Sequence, residues 1–233
     1  MESLKQMLVD TLRVLSFRQP SPAIATEWQR YLAFGLACTW LVGVGRYWDS
    51  PATALWQKLG LGSVAYVFVL AFLLWVIIWP LRPERWSYRM VLIFLTMTAL
   101  PALLYAIPVE RFLPLEDSAR LNALFLLFVA CYRVALLVWF LRRVAGLSGD
   151  ALITAVFLPL TLILFLLYAL NLEHATFQFM AGMRDVDETS NDAAYMIVTL
   201  LSAFSMWTFP FVLFFYIVQI FLAHERTRGT RGK

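Results

Sequence analysis

Residues 121–141 read LNALFLLFVACYRVALLVWFL, and this stretch contains a single charged side chain, that of Arg133. A run of about 20 mainly apolar residues is the length that an α-helix needs to cross the roughly 30 Å hydrocarbon core of a bilayer. The stretch therefore predicts a membrane-spanning helix, and it makes Arg133 a residue that the fold has to accommodate.

Apolar runs of similar length recur along the rest of the chain. The whole sequence is 61% hydrophobic and only 15% charged, whereas a soluble domain carries about 25% charged residues. This composition excludes an ordinary soluble domain and predicts an all-α, polytopic helical bundle in a membrane, with about six transmembrane helices. The other five predicted spans are residues 29–46, 61–81, 89–109, 151–171 and 194–223.

The first residues differ from the spans because charged and apolar side chains alternate there. Leu4, Leu8, Leu12 and Leu15 recur at helical spacing, which predicts an amphipathic helix that lies on the membrane or packs on the domain. Prolines in FRQPSP, residues 17–22, end this helix. The predicted organisation is a cytoplasmic amphipathic segment at 1–28, a six-helix transmembrane domain at 29–223 and a basic cytoplasmic tail at 224–233.

The distribution of Lys and Arg predicts the orientation, since these residues are enriched in cytoplasmic loops. Thirteen of the 19 fall on one side of a six-span chain, five on the other, and one, Arg133, inside a span. This bias places both termini in the cytoplasm. The thirteen are Lys5, Arg13, Arg18, Arg30, Arg82, Arg85, Arg89, Arg142, Arg143, Arg226, Arg228, Arg231 and Lys233.

Arg133 is the most informative polar residue because a central arginine costs about 3 kcal/mol on insertion scales. We expect it to face the bundle and to have a partner. Asn122 lies three helical turns earlier on the same face. The neutral candidates are Tyr105, Tyr168 and the backbone carbonyls freed by Pro101 or Pro159. The carboxylate candidates, all near outer span ends, are Glu110, Glu173 and Asp49. Arg133 is then either a structural tie between helices or a contact for an anion or substrate in a cavity.

Small residues in the first predicted span are spaced for close helix packing. Gly35, Thr39 and Gly43 make two successive small-xxx-small steps, a pattern that lets helix backbones approach each other. It predicts a helix-packing face, within one chain or between two chains.

The sequence offers few residues for chemistry. It contains two histidines, His174 and His224, and none of the motifs of metalloproteases, serine hydrolases or nucleotide-binding loops. Cys38 and Cys131 each lie in an apolar run and are predicted to be buried free thiols. We therefore predict no catalytic residues, no metal site and no cofactor. The net charge of +4 is dispersed between spans, which argues against a nucleic-acid partner.

Two functional hypotheses from different classes are the main ones, beside a third, an intramembrane enzyme that acts on lipid through a pocket joining Glu110, Glu173 or His174 to the bilayer. The first is a non-enzymatic multi-span membrane protein that acts as a scaffold or accessory subunit through intramembrane contacts. The alternative is a small oligomeric transporter or channel in which Arg133 lines an anion or substrate path. The expected partners are the lipid bilayer and either another membrane protein or further copies of the chain. The expected location is a bacterial inner (cytoplasmic) membrane.

Overall fold

The computed structural model describes residues 2–47, 54–170 and 192–231, and the regular elements in those ranges are all helical. The predicted all-α fold is thereby confirmed. The α-helices in the described ranges are α1 (Glu2–Leu15), α2 (Ala23–Thr26), α3 (Trp28–Tyr47), α4 (Leu55–Lys58), α5 (Leu61–Ile78), α6 (Tyr88–Met97), α7 (Leu115–Arg143), α8 (Gly149–Ala169) and α9 (Asp192–Arg231). Segments of 3-10 helix lie at Trp79–Leu81, Leu100–Ala106 and Val109–Arg111.

Four stretches of the described chain are long and apolar enough to cross a membrane. They match the second, fourth, fifth and sixth predicted spans. A fifth is obtained if α6 and the 3-10 segment Leu100–Ala106, which meet at a bend of 41°, count as one broken span. The four are Leu61–Leu81, Arg120–Arg143, Gly149–Ala169 and Thr199–Glu225.

The first predicted span, residues 29–46, is helical but less apolar than the others. It corresponds to α3, a helix of 20 residues, which is long enough for a span. Gln29 and Arg30 in its first turn lower its average hydropathy, and α3 is not one of the candidate spans. The count of six spans stays a prediction.

The chain divides into two compact units, and the first comprises Met1–Phe72 and Ser87–Leu136. Helix α3 packs there against α6 and against the 3-10 segment Leu100–Ala106. The central residues of α6, from Val91 to Met97, are all buried. A small apolar core joins the two elements to α7, and Leu104 and Tyr105 pack against it. Its members are Val42, Ala99, Ala102 and Val129.

Helix α6 ends where Pro101 prevents the α-helical pattern from continuing. Proline lacks the backbone N–H that would bond to the carbonyl four residues earlier. The chain changes to 3-10 geometry at Leu100, with Pro101 near the start of that segment. The resulting bend brings Tyr105 against the apolar core of the first unit.

The second unit comprises Leu73–Trp86 and Leu137–Lys233. Its main feature is the packing of α9 on α8, where the rings of Phe165 and Phe209 stack with centroids 4.8 Å apart. The Tyr216 hydroxyl donates a hydrogen bond of 2.6 Å to the carbonyl of Ile77. These contacts occupy one side of α9.

Candidate functional site

The carboxylate of Asp10, in the middle of α1, is a buried charged group that accepts several hydrogen bonds. Its side chain is 0% exposed, and Thr11 and Val14 beside it are also buried. Helix α1 therefore packs on the first unit through a face that contains a charged residue. Lys5 and Leu8 of the same helix remain exposed.

Both oxygens of Asp10 accept hydrogen bonds from the surrounding chain. Oδ1 accepts from the Ser21 backbone N–H at 2.9 Å and from the Arg13 guanidinium at 3.1 Å. Oδ2 accepts from the Ser21 hydroxyl at 2.6 Å, the Tyr31 hydroxyl at 2.6 Å and the Gln6 amide at 3.1 Å. We call these five residues the Asp10 node. The node joins α1, the segment after it and the beginning of α3.

The hydrogen bonds of the node determine the charge state of Asp10. Burial by itself raises the pKa of a carboxyl group, because it disfavours the ionised form. Donation from the Ser21 hydroxyl, Tyr31, the Ser21 backbone and Gln6 outweighs that effect and lowers the pKa from 3.8 to about 2. Asp10 is therefore ionised near neutral pH. A carboxylate with so low a pKa and with all its acceptor positions in use is a poor general base, so the geometry indicates an anchor.

A second set of contacts fixes the end of α1. The Tyr132 hydroxyl of α7 donates a hydrogen bond to the Leu15 carbonyl, and the Phe17 ring meets the Tyr132 ring edge to face, 5.8 Å apart. Phe17 has a left-handed backbone, with φ of 58°. The N–H groups of Phe17 and Arg18 bond to the carbonyls of Val14 and Arg13, which is the Schellman pattern of helix termination.

Arg133 lies in α7, one turn after the core residue Val129, and its side chain is half-buried. Tyr105 packs against the same core and lies within electrostatic reach of both Arg133 and Arg46. The guanidinium carbon of Arg46 lies 5.4 Å from the centroid of the Tyr105 ring, a cation–π distance. We call Arg46, Tyr105 and Arg133 the Tyr105 cluster. In this cluster Arg46 lies over the ring, and Arg133 lies within electrostatic reach of Tyr105.

The structure describes the other predicted partners of Arg133 only in part. Asn122 is half-buried in α7 and takes part in interactions of its own. The backbone of Glu110 belongs to the 3-10 segment Val109–Arg111, but its side chain lies outside the described part of the structure. Asp49 and Glu173 also lie outside the described residues.

The predicted small-residue face of α3 lies at close approaches within the first unit. A Cβ atom added at Gly35 would lie 2.2 Å from the Thr96 hydroxyl oxygen. One added at Gly43 would lie 2.8 Å from the Gly60 carbonyl oxygen. Thr39, between them, is buried and donates its hydroxyl proton to the Gly35 carbonyl at 2.9 Å. Each glycine thus lets α3 approach its neighbour more closely than any larger residue would.

Groups suited to metal binding or redox chemistry are sparse. Within the ranges 2–47, 54–170 and 192–231, no three His, Cys, Asp or Glu side chains are grouped so as to hold a metal ion. Both cysteines are free thiols, as predicted, and Cys38 is buried. The predicted burial is wrong for Cys131, which is exposed on α7.

The Asp10 node was not predicted from the sequence, although Asp10 stands among apolar residues of a short helix. The only available signal was its phase. At about 100° per residue, Asp10 lies nearly opposite Leu8, away from the leucine stripe. Ser21 and Tyr31 carry no spacing motif that connects them to it.

The fold and composition define an all-α helical bundle, and the described ranges contain four or five helices suited to spanning a membrane. No family model, no curated protein and no solved structure matches the chain. Its function therefore has to be argued from its own residues.

Proposed function

We propose that the chain is a non-enzymatic multi-span membrane protein that acts as a scaffold or accessory subunit, with α9 as its contact helix. The observation that carries this proposal is the exposed aromatic side of α9. Five side chains there are 62–77% exposed. We call them the α9 seam: Phe204, Trp207, Phe211, Phe214 and Phe221.

The spacing of the seam supports packing against another helix. Phe204 and Phe211 are seven residues apart, and so are Trp207, Phe214 and Phe221 in succession, so the seam follows a seven-residue repeat. A stripe with that period stays in line with a neighbouring helix in left-handed packing.

The opposite side of α9 uses the same period for packing within the chain. Ser202, Ser205, Phe209 and Tyr216 follow at intervals of three, four and seven residues. The two serines are buried, Phe209 stacks on Phe165, and Tyr216 bonds to Ile77. One face of α9 is therefore filled by this chain, and the matching outward face is available to a helix of a partner membrane protein.

Photo-crosslinking in native membranes tests the proposal. Benzoylphenylalanine is placed at Trp207 in the seam, or at Val69 of α5, which is 68% exposed and serves as the control. We expect a discrete protein adduct from position 207 and only lipid adducts from position 69. The W207A/F211A variant should lose the protein that co-purifies in mild detergent. An adduct of twice the chain mass would identify a second copy as the partner, and lipid adducts alone at both positions would overturn the proposal.

We further infer six spans with both termini in the cytoplasm of a bacterial inner membrane. The Lys and Arg distribution supports this orientation. The length of α3 is compatible with its being a span. Reporter fusions in the loops 82–89 and 172–193 test it: the first should report cytoplasm and the second the opposite side. A cytoplasmic result for loop 172–193 would reject this topology.

The second candidate is a small oligomeric transporter or channel, and the Tyr105 cluster is the observation that favours it. Arg46 over the Tyr105 ring and Arg133 within electrostatic reach of Tyr105 give this region positive charge, which is the chemistry that attracts an anion in a pore. Chloride flux into proteoliposomes tests this candidate. R133Q should abolish flux and R133K should retain part of it, whereas an absence of flux in the wild-type protein would reject the candidate.

A further inference from the structure

The leucine stripe of α1 faces away from the protein. Leu4, Leu8 and Leu12 are 52%, 44% and 60% exposed, while Asp10 and Thr11 of the same helix are buried. An amphipathic helix on a soluble protein normally buries its apolar stripe. Here the helix is attached through its polar node, and the apolar stripe is left outside.

Cationic side chains border this stripe. Lys5 is exposed and lies about 60° around the helix from Leu8, at about 100° per residue. Arg18 is exposed just beyond the end of α1. The acidic group in the middle of the helix, Asp10, is buried and forms an ion pair with Arg13 at 3.1 Å. From Ser3 onward, the exposed surface of α1 is therefore apolar along its centre and positive at its border.

We propose that α1 lies in the headgroup region of the membrane that this chain spans and binds anionic phospholipid there. Leu4, Leu8 and Leu12 enter the boundary between headgroups and acyl chains, as apolar faces of interfacial helices do. Lys5 and Arg18 contact lipid phosphates, which are the complementary charge. The proposal concerns α1 alone and does not depend on the contact helix α9.

The Asp10 node fixes the rotation of α1 about its own axis, and this arrangement depends on that rotation. Without it, α1 could turn its leucines toward the protein, where they would be removed from water. The bonds from Ser21 and Tyr31 to Asp10, together with that from Tyr132 to Leu15, fix the buried side of the helix. They keep the stripe outward whether or not lipid is present.

Spin-label accessibility in the full chain tests the proposal. Cys38 and Cys131 are replaced by alanine, and a label is placed at Leu8 or, as the control, at Ser3, which is exposed on another side of α1. The protein is reconstituted in vesicles of phosphatidylcholine alone or of equal parts phosphatidylcholine and phosphatidylglycerol. We expect Leu8 to be more accessible to oxygen and less accessible to a water-soluble nickel complex than Ser3, most strongly in the anionic vesicles.

The charge contribution is tested with the K5Q/R18Q variant, which leaves the Asp10 node unchanged. It should lose the added protection that phosphatidylglycerol gives to the Leu8 label. Equal aqueous accessibility at Leu8 and Ser3 in both vesicles would overturn membrane insertion. Protection of Leu8 from both oxygen and nickel would indicate a protein contact and would also overturn it. Protection independent of phosphatidylglycerol would overturn the anionic-lipid part.

Discussion

The Tyr31 hydroxyl donates a hydrogen bond of 2.6 Å to the Asp10 carboxylate, although the two residues are 21 positions apart in the chain. Tyr31 is buried in the second turn of α3, and Asp10 is buried in α1. This hydrogen bond therefore links α1 to α3, the first long helix of the bundle. Its contribution can be measured because both groups have close isosteres.

Substitution of either group should loosen α1. A hydrogen bond to a charged group contributes about 1.5–3 kcal/mol, so we expect Y31F to lower the free energy of unfolding by about 2 kcal/mol. D10N should lower it further for two reasons. The amide carries no negative charge, and its NH2 group would point at hydrogen-bond donors where the carboxylate had an acceptor oxygen. Thermal unfolding in detergent measures both effects.

The ion pair of Glu27 with Arg30 is a matched control. It has a short distance of 2.7 Å, but both side chains are exposed, and such pairs contribute about 0–1 kcal/mol. E27Q should therefore leave the unfolding temperature nearly unchanged. If E27Q destabilises the protein as much as D10N does, the Asp10 node is not the anchor of α1.

The Asp10 node also predicts a dependence of stability on pH. The folded-state pKa of about 2 lies below the ordinary value of 3.8, so folding favours the ionised form. This contribution, roughly 2 kcal/mol, is fully present above about pH 4 and is lost as the pH falls through about 2. The stability difference between wild type and D10N should shrink across that window. A difference that stays constant down to about pH 2 would contradict the assignment.

The close approach at Gly35 predicts a strong effect of one added methyl group. In G35A the new Cβ would lie 2.2 Å from Oγ1 and 2.7 Å from Cβ of the buried Thr96. Overpacking of this kind destabilises a protein by about 1–3 kcal/mol. This loss exceeds the stabilisation that alanine gives over glycine through its higher helix propensity. We expect a lower unfolding temperature and a displaced α3.

Gly62 in α5 offers the corresponding control. A Cβ there would meet the ring of Trp56 at 2.8 Å, but Trp56 is half exposed and its ring can move aside. G62A should therefore be neutral or slightly stabilising. Equal losses in G35A and G62A would mean that the α3 contact is not specially close.

The stacked rings of Phe165 and Phe209 predict a measurable coupling between α8 and α9. Their centroids are 4.8 Å apart and the planes differ by 19°, a geometry that contributes about 0.5–1.5 kcal/mol beyond burial. A double-mutant cycle with F165A and F209A should return a coupling of that size. The same cycle with F165A and the exposed Phe211 should be additive, and a coupling there would contradict the assigned faces of α9.

The helical elements were predictable because apolar run length is a strong signal. Residues 121–141 fall inside α7, and 151–171 coincides with α8 to within two residues. The third predicted span, 89–109, departs from a single helix because Pro101 redirects the chain into 3-10 geometry. Hydropathy is an average over residue types, so it does not predict that local bend.

The polar contacts were less predictable because they depend on turns. Asp10 meets Ser21 only because the chain reverses after Phe17, whose left-handed backbone is uncommon for a bulky residue. Arg133 was expected to need a partner, and Tyr105 was one of the neutral candidates. The approach of Arg46 to the same ring could not be anticipated, since it requires the packing of α3 against the segment Leu100–Ala106.

The unequal exposure of the two thiols allows the depth of α7 in the membrane to be measured by chemical labelling of the natural chain. Cys131 is exposed and Cys38 is buried, so a maleimide added to intact membranes has one favoured point of attachment. Cys131 stands two positions before Arg133 in the same helix. A lipid-soluble reagent that labels it where a charged, water-soluble one fails would report how far from the aqueous phase this arginine resides, without any substitution in the protein.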